Sequence, residues 1–154
     1  MANFNGVNYA KTIAVPAQKA NPGEINGRVK WLHESYTCVA NVYAIGDIIL
    51  GPKLPAGAKV IDALVRSPSL GTTGIIDLGF AASTDLDGTA ITADPNGLVS
   101  GADAGGQAVH KKMSTEAGFM QDFGAEAQVQ AIFTEASDAA DTLVIQFAVA
   151  YVID

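Results

Sequence analysis

The sequence predicts an all-β protein: an antiparallel β-sandwich or jelly roll over residues 28–154, preceded by an extended N-terminal arm over residues 1–27. Three observations lead there. Apolar and polar residues alternate with period two along several stretches, as strands with one packed face require. Turns rich in Gly and Pro separate these stretches at spacings of about ten residues, the rhythm of sandwiches and jelly rolls. No long helical pattern interleaves them, which argues against a βαβ layout.

The arm comes first. Asn, Gly, Pro, Gln and Lys punctuate residues 1–27, and Thr12-Ile13-Ala14-Val15 is the one apolar cluster, stopped by Pro16. Asn21-Pro22-Gly23 reads as a turn or extended corner, because the residue before proline avoids the α region. Such a segment suits an extended arm laid along a surface. From Arg28 the pattern becomes strand-like: Val29 and Trp31 share one phase, while Leu32, Tyr36, Cys38 and Ala40 share the other. A one-residue slip of this kind is what a bulge produces.

Val42 to Leu50 is a short apolar stretch interrupted by Gly46-Asp47, and Gly51 to Gly57, with two prolines and two glycines, reads as a turn. Ala58 to Ser67 alternates, with Ile61, Ala63 and Val65 on one face and Val60, Asp62, Leu64 and Arg66 on the other. Ile76, Leu78, Phe80 and Ala82 then alternate against Ile75, Asp77, Gly79 and Ala81. Residues 83–106 read as loop with a short strand at Leu98-Val99; Gln107 to Met113 suggests a strand and Ser114 to Phe119 a helical turn. Two strands follow, one around Val129, Ala131 and Phe133, the other at Leu143, Ile145, Phe147, Val149, Tyr151 and Ile153. Ser137 to Asp141 between them suggests a hairpin.

A chain of 154 residues, 49% hydrophobic and 16% charged, builds its own core without disulfides or metal. Its apolar side chains are small: 26 alanines against 7% aromatic residues, a composition poorly suited to a deep aromatic pocket. The single cysteine, Cys38, excludes an internal disulfide and reads as a small buried hydrophobe. The first residues lack the basic and apolar regions of a signal peptide, and no apolar run reaches the ~20 residues of a membrane helix. Synthesis in the cytoplasm and no membrane partner are the expectations.

The net charge of −7 argues against nucleic acid as partner. Its distribution is uneven: residues 1–70 hold seven basic and four acidic side chains, residues 71–154 two basic and twelve acidic. A chain so polarised can attract copies of itself, basic end to acidic body; alternatively the acidic surface serves solubility. The arm's contact residues are expected to be Lys11, Lys19, Arg28 and Lys30.

A search for chemistry finds no catalytic site. His33 and His110 have no second histidine, cysteine or carboxylate at ligand spacing. No nucleophile elbow or phosphate loop is present, so neither an enzyme nor a cofactor is expected. Asp85-Leu86-Asp87-Gly88 with Asp94-Pro95-Asn96-Gly97 resembles the start of a calcium loop, with Asp85, Asp87 and Asp94 as weak ligand candidates. The glutamate that would complete such a loop is missing, and Asp and Asn are also ordinary turn residues. Lys111-Lys112 reads as a solvated pair. Trp31 and Tyr36 suit a sugar-binding platform or, on apolar strands, a core or interface.

Four segments together resemble small structural proteins of tailed bacteriophages, the head decoration or cement class. They are Asn21 to Arg28, Lys53 to Val60, Leu70 to Gly74 with Gly79 to Ser83, and Ala148 to Asp154. These are turn and strand signatures with no catalytic residue among them. The resemblance implies a jelly-roll subunit, commonly a homotrimer. Such a subunit sits on the outer capsid surface of the virion and bridges copies of the major capsid protein. The alternatives are a carbohydrate-binding module or a phage head-fibre, receptor-binding protein, and, more remotely, a hydrolase on a jelly roll.

Overall fold

The computed structural model describes residues 28–38, 43–115, 117–137 and 142–153, and these form an antiparallel sandwich with no helix among them. The proposed arm, with Lys11 and Lys19, lies outside the described residues, as does the side chain of Cys38.

Eleven strands occur in chain order. β1 is Lys30–Cys38, β2 Ile48–Leu54, β3 Ala58–Ser67 and β4 Ile75–Phe80. The pairs β5 (Ser83–Thr84) with β6 (Ala90–Ile91) form a small hairpin. β7 is Asp94–Asp103, β8 Val109–Lys112, β9 Asp122–Phe123, β10 Ala127–Glu135 and β11 Leu143–Ile153. One sheet runs β1-β11-β3-β8, with β9 also on β3; the other runs β2-β10-β4-β7. Setting aside β5, β6 and β9, these two orders are those of an eight-stranded jelly roll. β1 lies beside β2 at one edge of the sandwich and β7 beside β8 at the other.

The core is where the alternation places it. Ile145, Phe147, Val149 and Tyr151 of β11 face Ile76, Leu78 and Phe80 of β4 and Val129, Ala131 and Phe133 of β10 across one hydrophobic interior. Phe133, Phe147 and Phe123 are essentially sealed from water, each contributing roughly 1.5–3 kcal/mol by burial. Phe80 and Phe123 meet edge to face at 5.1 Å, and Tyr43 stacks on Phe133 at 4.9 Å.

Several expectations are corrected. The bulge expected in β1 is absent: its register with β11 runs unbroken from Lys30 opposite Tyr151 to Cys38 opposite Leu143. Trp31, opposite Ala150, therefore faces outward. The bulge lies in β3, where Ala150 pairs with Asp62 and Tyr151 already with Val60. This extra residue, Ile61, puts Val60 in the core together with Ala63 and Val65. Gly51-Pro52 is no turn but a bulge within β2, where these two residues oppose the single Val129 of β10, between Gln128 and Gln130. β2 is an edge strand, the position where a sheet tolerates proline.

Residues 94–103 are a ten-residue strand rather than loop. Their Asp, Pro, Asn and Gly have low strand propensity, but β7 is also an edge strand, and its backbone crosses Gly79 so closely that a Cβ there would lie 1.9 Å from the Asp94 carbonyl. Ala117 to Met120 forms a turn and no helix. Finally, β10 and β11 do not make a hairpin. They belong to different sheets.

Candidate interaction surfaces

Facing is set by register, because residues directly opposite in an antiparallel pair project to the same side. The outer face of the β1-β11-β3-β8 sheet thus carries rows Trp31–Ala150–Asp62, His33–Ala148–Leu64–Lys112 and Ser35–Gln146–Arg66–His110. At its β8 end Arg66, His110 and Lys112 are exposed together, while His33 lies at the far edge of the sheet on β1. The Lys111-Lys112 pair divides: Lys112 faces solvent, whereas Lys111 turns inward and donates from Nζ to the Gly101 carbonyl at 2.9 Å. A groove of about 550 Å³ opens at this end, lined by Arg66, Pro68, Ala108, Leu143, Val144 and Gln146 among others.

The opposite sheet offers an apolar face. Ile48 and Leu50 of β2 are 50% and 65% exposed, and Ile45 in the preceding turn is 71% exposed. Ile48 stands opposite Ile132 of β10, which extends the patch across two strands. Sequence reading passed over this face, although a signal for it exists. Ile48, Ile49 and Leu50 are consecutive, and a strand can bury only alternate residues; Ile49 is the one inside.

Of the proposed arm contacts, Arg28 and Lys30 are described, and both are exposed at the start of β1. Trp31 and Tyr36 are both partly exposed, at 53% and 38%. They do not form one platform, since Tyr36 pairs with Ile145 on the inward side of β1 and Trp31 with Ala150 on the outward side.

Two of the three candidate aspartates, Asp85 and Asp94, bond to nearby backbone amides through their carboxylates. Asp85 Oδ1 accepts from the backbone N–H of Asp87 at 3.0 Å and of Thr89 at 2.7 Å, closing the β5–β6 turn. Gly88 sits there at φ +83°, a conformation glycine adopts without strain. Asp94 Oδ1 accepts from Asn96 N–H at 3.4 Å. Among the described residues, no three His, Cys, Asp or Glu side chains are grouped so as to hold a metal ion. Asp77, nearly buried, accepts the Gly101 N–H at 2.5 Å and ties β4 to the bulged β7.

The same fold occurs in two phage shells. Over 96% of this chain and 96% of the other, it superposes with TM-score 0.66 and 21% identity on a chain of the capsid of Ralstonia phage GP4. Over 92% of this chain and 96% of the other, it matches a chain of the cyanophage Pam1 capsid asymmetric unit, with TM-score 0.64 and 18% identity. These likenesses establish a shared fold along nearly the whole chain. No protein-family model and no curated protein matches the sequence.

Proposed function

We propose that this chain is a structural protein of a tailed-bacteriophage head, a decoration or cement subunit that binds the outer capsid surface and bridges neighbouring major capsid proteins. The observation that supports this most is the shared jelly roll, matched over nearly the whole length with chains found in two phage capsids. The surface chemistry agrees with a binding role. An apolar face at Ile45, Ile48 and Leu50 supplies area to bury against a shell, and the charged residues of β1 and β8 supply orientation. In this reading residues 1–27, through Lys11 and Lys19 with Arg28 and Lys30, reach across a subunit boundary.

The test is co-sedimentation of purified protein with expanded empty heads. Saturable binding that raises the heads' resistance to heat or low salt is expected. Ile48→Lys with Leu50→Lys should abolish it while leaving the fold intact. A wild-type chain that ignores heads at micromolar concentration refutes the assignment.

A further inference from the structure

The β5–β6 hairpin and the groove beside Arg66 have complementary chemistry. The hairpin tip, Asp85-Leu86-Asp87-Gly88, presents a leucine that is 51% exposed between two carboxylates. It is also rigid. Besides the two bonds to Asp85 Oδ1, Asp85 N–H donates to Thr89 O at 2.9 Å and Gly88 N–H to Asp85 O at 3.1 Å. Gly124 braces its base, donating to Thr84 O at 2.7 Å, with room for no side chain against Asp85. A loop held this way has little conformational freedom left to lose on docking.

The groove has the opposite character. Pro68, Ala108, Leu143 and Val144 give it an apolar floor and Arg66 a cationic wall, with no carboxylate among its described lining residues. His110 stands directly across from Arg66 as a polar neighbour, and Lys112 on the same strand extends the cationic wall outward. Its volume of about 550 Å³ readily admits a leucine side chain with flanking backbone.

Knob and groove lie at opposite ends of one molecule. The hairpin packs on the loop after β9, which pairs with Ala58 at the start of β3, while the groove surrounds the end of β3 at Ser67. Ten strand residues separate them by about 30 Å. The knob of one copy can therefore enter only the groove of another.

We infer that the chain self-associates by seating the Asp85-Leu86-Asp87 tip of one copy in the Arg66 groove of a second copy, with Leu86 on the apolar floor and the carboxylates facing Arg66 and His110. This contact deepens the decoration reading by naming how copies of the subunit join. Knob-to-groove contacts close either as a ring, such as the trimer expected for this class, or as an antiparallel pair satisfied twice.

The test is sedimentation of the full chain at 0.1 M and 1 M salt, with thermal unfolding as a fold control. Wild-type protein should form a closed oligomer that loosens in high salt. Leu86→Ser and Arg66→Glu should each weaken association about tenfold or more, with unfolding midpoints near wild type because both side chains are exposed. The double swap Arg66→Glu with Asp87→Arg should restore most of the loss. A wild-type monomer at high concentration, an oligomer indifferent to both single variants, or a double swap with no recovery overturns the contact. Protein that self-associates in this Arg66- and Leu86-dependent way yet ignores capsids supports the contact and refutes the decoration reading instead.

Discussion

Gly51 and Phe147 offer a direct test of how the two sheets mesh. Gly51 stands at the β2 bulge, and a Cβ built on it would lie 2.5 Å from Cε2 and 2.9 Å from Cζ of Phe147, a ring on the facing sheet that is 1% exposed. Phe147 belongs to the packed core, so Gly51→Ala should overpack it at a cost of about 1–3 kcal/mol. The lower entropy of the unfolded alanine chain offsets roughly 0.4–1 kcal/mol of that. Phe147→Leu removes the two ring atoms concerned and alone costs less than the ~3–5 kcal/mol typical of Phe→Ala. The steric term vanishes in the double variant, so the two changes should couple favourably by about 1–2 kcal/mol. Urea unfolding with an unchanged slope measures this, and each kcal/mol corresponds to about 2–4 °C in Tm for a chain of this size. Additivity within about 0.5 kcal/mol, or a Gly51→Ala protein as stable as wild type, would refute the inter-sheet packing described.

Gly79→Ala should be worse than Gly51→Ala, because its methyl would meet the Asp94 backbone rather than a side chain; loss of soluble folded protein, or early hydrogen exchange along β7, is the expected readout. Asp77→Ala should cost about 1–3 kcal/mol by stranding the Gly101 amide, with faster exchange at that amide as its signature. Millimolar calcium should leave the unfolding midpoint unchanged, whereas Asp85→Ala should lower stability by about 1 kcal/mol through loss of the turn's acceptor. A calcium-dependent rise in midpoint would support Asp85, Asp87 and Asp94 as ligands.

Much of this was legible in the residues themselves. Period-two alternation located β3, β4, β10 and β11 and most of their inward side chains, because burial on one face selects every second residue. The aspartate-rich turn was readable as a turn, since Asp85 bonds to amides only two and four residues away. Pairing was not readable. β1 joins β11 more than a hundred residues later, and β10 and β11, neighbours in the chain, lie in different sheets. Alternation states which way a side chain points and nothing about which strand lies beside it. For the same reason Val60 went to the wrong face until the β3 bulge was located, and β7 hid behind turn-forming residues that an edge strand accepts. Local sequence thus determined the strands, the turn chemistry and the uneven charge. Tertiary structure alone decided that Leu86 and Arg66 stand at opposite ends of one sandwich, because that arrangement depends on contacts between residues far apart along the chain.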